Sequence, residues 1–172
     1  IKDMDADIIA LQEVESEKAL ALLQKRLFLV GLEYPFSAIA NGRLTPVKCA
    51  VLSRFPITVK NEICAGNENE RNILKVQIDI KGNPLVLYVN HWKSKAGPES
   101  KRLTYARALA ADISKLSCDA DYMLIGDFNS DYNEYETFKH ISRLNDTHGI
   151  TGINHIVHTV NGQKMVGESF LT

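Results

Sequence analysis

The stretch from Asn72 to His91 leaves little choice of local structure. Leu74, Val76, Ile78 and Ile80 alternate with Lys75, Gln77 and Asp79, the period-two pattern of a strand with one buried face. Lys81-Gly82-Asn83 supplies turn chemistry, and a second apolar run, Pro84 to His91, follows it. The pattern predicts an antiparallel hairpin.

Other segments share the short, branched, apolar character of strands: Asp7 to Val14, Tyr34 to Ala40, Cys49 to Ser53, Ile57 to Ile63 and Tyr122 to Gly126. Helical spacing appears twice. Ser16 is a suitable N-cap for a helix to about Leu29, with Ala19, Leu20, Leu23 and Leu27 on one face. A second helix starts near Gly97-Pro98 and carries Leu103, Ala106, Ala110, Ile113 and Leu116. Glu134 to Leu144 reads as a further helix, and Asn154 to Phe170, centred on Asn161-Gly162, as a second hairpin. Hairpin-linked strands with a few long helices predict an α+β layered domain.

At 172 residues, with 45% apolar and 24% charged residues, the chain suits one domain with a sizeable core. Its net charge of -1 is unlike that of a strongly basic nucleic-acid-binding domain, though a local basic patch remains compatible with it. No run is long and apolar enough to cross a membrane, and no sequence feature requires a protein partner. Cys49, Cys64 and Cys118 are too few and too scattered for a disulfide framework or a zinc site, and read as small buried side chains.

Polar residues gather where apolar runs stop. In Leu11-Gln12-Glu13-Val14-Glu15, Glu13 could bind a cation or cap an exposed strand end. His91 ends a strand and is followed by Trp92-Lys93-Ser94-Lys95. Imidazole can move protons near neutrality and lysines can neutralise phosphoryl oxygens, but for this segment alone a hydrogen-bonded histidine before a solvated basic loop is the better reading. Asp127-Phe128-Asn129 follows the apolar Tyr122 to Gly126. Continued extended geometry would aim Asp127 and Asn129 to one side. An Asx-type turn is the competing reading.

Taken together and in order, LQEVE, VNHWKSK and IGDFNSD resemble the endonuclease/exonuclease/phosphatase superfamily, the DNase I-like proteins. Asn41-Gly42-Arg43, the run CAVLSRFPI and Arg71-Asn72-Ile73-Leu74 agree more weakly, and HWKSK is closest to bacterial nuclease-like branches. The resemblance spans about Asp5 to Asp131. It implies a sandwich of two mixed, largely antiparallel sheets flanked by helices. It also implies hydrolysis of phosphate esters with Mg²⁺ or Mn²⁺. By position, Glu13 matches the metal-binding glutamate, and His91 the first of two catalytic histidines. Asp127 matches the aspartate that activates water, and Asn129 the asparagine at the scissile phosphate. Arg43, Arg71 and Lys93 would face substrate phosphates. Nucleic acid is the first substrate class. Small or lipid phosphates, or an inactive binding module, are the alternatives.

Three departures follow from the same resemblance. In the family's namesake a glutamate follows the strand-leading arginine and orients the histidine; Asn72 stands there in this chain. The family's early asparagine and its late aspartate and Asp-His pair are not found, so residues 1–172 are expected to be one domain truncated at both ends. His148, His155 and His158 could be read as a metal cluster, but surface positions suit them better.

Overall fold

The computed structural model describes Ile1 and residues 3–161. The chain divides into two compact units, Ile1–Trp92 with Leu116–Asp127, and Lys93–Lys115 with the segment from Phe128 onward.

The first unit contains both sheets. A three-stranded antiparallel sheet has the order β1-β3-β2, from β1 (Ile8–Val14), β2 (Phe36–Ile39) and β3 (Lys48–Ser53). A four-stranded mixed sheet has the order β4-β5-β6-β7, from β4 (Ile57–Ile63), β5 (Ile73–Ile80), β6 (Asn83–His91) and β7 (Asp121–Asp127). Among the described strands, only the β6–β7 pair is parallel. The expected hairpin is β5–β6, with Ile80 opposite Asn83. Its two turn residues, Lys81 and Gly82, have φ of 55° and 92°, the mirror-image turn whose twist matches that of paired strands. The Gly82 amide donates to Asp79 Oδ1 at 2.7 Å.

The sheets share one core. Ala38, Cys49 and Val51 of the first meet Leu74, Val76, Ile78, Leu87 and Val89 of the second. Burying each large aliphatic side chain there contributes about 1.5–3 kcal/mol. The other face of the first sheet is covered by α1 (Glu17–Leu29), where Leu20 and Leu27 pack on Ile9, Ile39, Ala50 and Leu52. Ser16 caps this helix as expected: its Oγ accepts from the Ala19 amide at 3.2 Å.

In the second unit, α2 (Glu99–Ile113) packs on α4 (Gly152–Asn161). Leu103, Ala106, Leu109 and Ile113 are buried on α2, and Ile156 on α4. Pro98 is the N-cap of α2, one position before the first turn expected for it. Two sequence expectations fail in this unit. Glu134 to Leu144 holds only a short helix, α3 (Glu134–Thr137), and a 3₁₀ turn at Ser142–Leu144. The first part of the expected 154–170 hairpin is α4, and residues 162–170 lie outside those described. Thr151 starts that helix: its Oγ1 accepts from the Asn154 amide at 3.1 Å, and its carbonyl from the His155 amide at 2.9 Å. The cysteine expectation fails in part too. All three thiols are free, but only Cys49 is buried; Cys64 and Cys118 are exposed.

Candidate active site

Three strand ends of the first unit converge. His91 and Asp127 close β6 and β7 and are register partners. Between Leu11 and Val14 the β1–β3 register shifts, and Glu13 in that interval has φ of 60°. A bulge of this kind re-aims a side chain at a local backbone cost. The outcome is one constellation: His91 Nε2 lies 3.9 Å from Glu13 Oε1 and 3.9 Å from Asp127 Oδ2.

The three side chains differ sharply in exposure. The imidazole is 6% exposed, while the carboxylates of Glu13 and Asp127 are 73% and 52% exposed. Burial holds the His91 pKa below its ordinary value. The Arg71 guanidinium pushes the same way, and Asp127 and Glu13 oppose both. A buried neutral imidazole follows. Its Nδ1 is buried and makes no hydrogen bond. Asn72 does not supply one, because its amide donates to Glu62 Oε2 at 2.9 Å and accepts from Arg43 Nε at 3.4 Å.

Arg71 is tied to the backbone beneath the histidine: Nε donates to the His91 carbonyl at 3.0 Å and Nη2 to the Trp92 carbonyl at 2.7 Å. Arg43 rides on a loop gripped by Glu62, whose two oxygens accept from the Asn41 and Gly42 amides at 2.8 Å each. Burial alone would raise the Glu62 carboxyl. Hydrogen bonds from Asn72, Gly42 and Asn41 outweigh it and hold the carboxyl below its usual range. Sequence reading missed Glu62, whose one signal is an acid on a strand beside a glycine-containing loop.

Asn129 and Lys93 belong to the second unit. The extended geometry expected from Asp127 to Asn129 does not persist: β7 ends at Asp127, and Asn129 has φ of 50°, a left-handed conformation that asparagine tolerates better than most residues. Lys93 is exposed. A Cβ on Gly97 would come within 3.3 Å of the Lys93 Cγ.

The same unit holds a charged cluster that sequence reading missed altogether. Arg102 is fully buried with Glu99 and Glu134. Its guanidinium donates to both carboxylates and, at 3.0 Å each, to the carbonyls of Ser94 and Gly97. Glu99 Oε1 accepts from Ser130 Oγ and the Gly152 amide, and Glu134 Oε2 from the Asp131 amide. The cluster ties the segment after His91 to the segment after Asn129. The Glu99 and Arg102 spacing, three apart beside an apolar helical stripe, is the trace it leaves in sequence.

Glu13 and Asp127 present exposed oxygen donors, the donor type that suits Mg²⁺, an ion that keeps several waters and needs only one or two carboxylates. Among the described residues no group of three or more His, Cys, Asp or Glu side chains forms a metal cluster.

The chain belongs to the Endonuclease/Exonuclease/phosphatase family, whose sequence model matches residues 1–167. Among solved structures it is similar to an endonuclease/exonuclease/phosphatase family protein from Leptotrichia buccalis, with 16% identity, a TM-score of 0.65, and 91% of this chain and 62% of that one covered. It is similar to D. rerio TDP2 complexed with a single-strand DNA product, with 20% identity, a TM-score of 0.61, and 74% and 50% covered. It is also similar to sphingomyelinase C from Streptomyces griseocarneus, with 19% identity, a TM-score of 0.60, and 89% and 56% covered. At these identities the likeness is one of fold. The chain spans between 50% and 62% of the length of these relatives. No curated protein matches it.

Proposed function

We propose that this chain carries the reaction centre of a divalent-metal-dependent phosphodiesterase, with the nucleic-acid backbone as its first substrate class. The observation that carries the reading is the convergence of Glu13 and Asp127 on His91 Nε2.

Glu13 is the residue that would hold Mg²⁺ or Mn²⁺, and the ion when bound withdraws charge from a phosphoryl oxygen. Burial and Arg71 hold the His91 pKa low, which favours its neutral form. With the proton on Nε2, facing the carboxylates, it donates to a nonbridging oxygen as negative charge builds there. The 3.9 Å spacing is too long for direct hydrogen bonds to Glu13 or Asp127 and leaves that proton for substrate. Asp127 takes the proton of the attacking water. The water oxygen bonds to phosphorus, the bond to the leaving oxygen breaks, and the leaving oxygen takes a proton from solvent. Arg43 steadies the phosphate, and the family resemblance gives phosphate-contacting roles to Asn129 and Lys93 as well. Arg71 acts through the backbone of His91 and Trp92.

The DNA product bound by D. rerio TDP2 supports a nucleic-acid substrate. The match to sphingomyelinase C over 89% of this chain favours a lipid phosphodiester as the second reading. The test is a panel of plasmid DNA, RNA, inositol phosphates and sphingomyelin. Each is assayed with the full-length protein in Mg²⁺, in Mn²⁺ and with chelator. Metal-dependent cleavage of DNA or RNA that Glu13→Ala, His91→Ala and Asp127→Ala each abolish is the expected result. Undiminished turnover in all three variants would overturn the assignment.

A further inference from the structure

The end of β6 contains a polar side chain that the mechanism does not use. Asn90 is completely buried, and a buried amide is tolerated only when its hydrogen bonds are made. Asn90 makes them across two strands. Its Nδ2 donates to the Tyr88 carbonyl of β6 at 3.0 Å and to the Ile125 carbonyl of β7 at 3.3 Å. Its Oδ1 accepts from the indole Nε1 of Trp92 at 2.9 Å, and Trp92 is itself fully buried.

The backbone at the same level is equally constrained. Asn90 is the register partner of Gly126. Gly126 has φ of 127°, and a Cβ there would lie 2.1 Å from the Asn90 carbonyl oxygen. The two strands therefore leave no room for a Cβ at Gly126, one residue before His91 and Asp127. One residue beyond, the Trp92 amide donates to the Asp127 carbonyl at 2.9 Å.

We propose that Asn90 is a positioning residue for the reaction, a two-strand clamp whose amide fixes the spacing between the His91 imidazole and the Asp127 carboxylate. A primary amide is the smallest side chain that donates to two carbonyls while accepting from an indole. Aspartate would set a carboxylate against two carbonyl oxygens, and serine brings one donor. This proposal rests on the hydrolytic reading for its kinetic arm only.

The test uses two variants of the full-length protein, Asn90→Ala and the milder Trp92→Phe, which removes one donor and keeps an aromatic ring. Hydrolysis of bis(4-nitrophenyl) phosphate with Mn²⁺ reports kcat and KM. Diethyl pyrocarbonate labelling, mapped by mass spectrometry, reports how firmly His91 is held, with exposed His140 and His148 as internal standards. Displacement of a reacting group by about 1 Å costs on the order of a hundredfold, so Asn90→Ala should lose roughly that much in kcat and Trp92→Phe roughly tenfold, with KM little changed. Labelling of His91 should rise several-fold while the standards hold. If Asn90→Ala does not fold, Trp92→Phe decides alone. Unchanged His91 labelling with unchanged kcat in a folded variant would overturn the clamp. Wild-type protein without activity would overturn the hydrolytic reading and leave the labelling result to judge the clamp.

Discussion

The two units each hold a pair of carboxylates around a basic group, and they treat it in opposite ways. Glu99 and Glu134 are wholly buried, grip a permanent cation in Arg102, and have their remaining oxygens bonded to Ser130, Gly152 and Asp131. Glu13 and Asp127 face solvent beside an imidazole that burial and Arg71 keep neutral. The first pair has its counter-charge built into the chain. The second faces solvent beside a histidine whose pKa is held low. An arrangement that supplies its own cation serves architecture, whereas exposed carboxylates are what the proposed outside cation and phosphate ester require.

The contrast is broken most directly by substituting one member on each side. Arg102→Met should destabilise the protein by about 3–5 kcal/mol, because two buried carboxylates lose their cation; urea denaturation measures it, and a loss under 1 kcal/mol on the same scale would remove the architectural role. Asp127→Asn should leave the urea midpoint nearly unchanged and lower kcat by on the order of a thousandfold, as loss of a general base does. A variant of Asp127 that unfolds as readily as one of Arg102 would erase the distinction between the pairs.

A smaller effect is expected at Glu62, where the carboxylate holds the Arg43 loop. Glu62→Gln should cost about 1 kcal/mol through weakened charge-assisted hydrogen bonds, and should raise KM for a phosphodiester more than it lowers kcat. Equal changes in both constants would argue that the loop does not meet substrate.

The finest test is pH, measured as stability in the presence of chelator. The folded-state pKa of His91 is depressed. Its contribution is therefore present above the unfolded value of about 6.5 and is lost as pH falls through the folded value. Glu134 is the reverse, since burial raises its carboxyl and the nearby Glu99 adds to the rise. Its contribution is present below about pH 4.5 and fades as pH climbs through the raised value. His91→Gln should flatten the acid side of the stability curve just below 6.5, and Glu134→Gln the segment just above 4.5. Slopes of the same sign at both positions would contradict the opposite environments.

Sequence made the solvent-facing pair legible because it lies at strand ends. There an acid or imidazole interrupts an apolar run, and the interruption is visible without coordinates. The β5–β6 hairpin and the Ser16 cap were legible for the same local reason. The buried cluster was not, because charges on a helix ordinarily face water, and only the fold shows that Arg102 turns to Glu134 and the carbonyls of Ser94 and Gly97. The α4 helix was obscured by its own residues: Ile153, Ile156 and Val157 are β-branched, and Asn161-Gly162 mimics a hairpin turn. The Thr151 cap and the three-and-four spacing of those side chains were the signals to weigh instead. The bulge at Glu13 had no sequence trace, since register shifts arise from pairing with β3.

That bulge has a bearing on how such a chain ages in evolution. A left-handed backbone is a conformation that glutamate occupies reluctantly and glycine freely. If the proposed hydrolysis is what Glu13 serves, a chain freed of that reaction would drift at this position toward glycine or asparagine, trading an acid for a relaxed backbone.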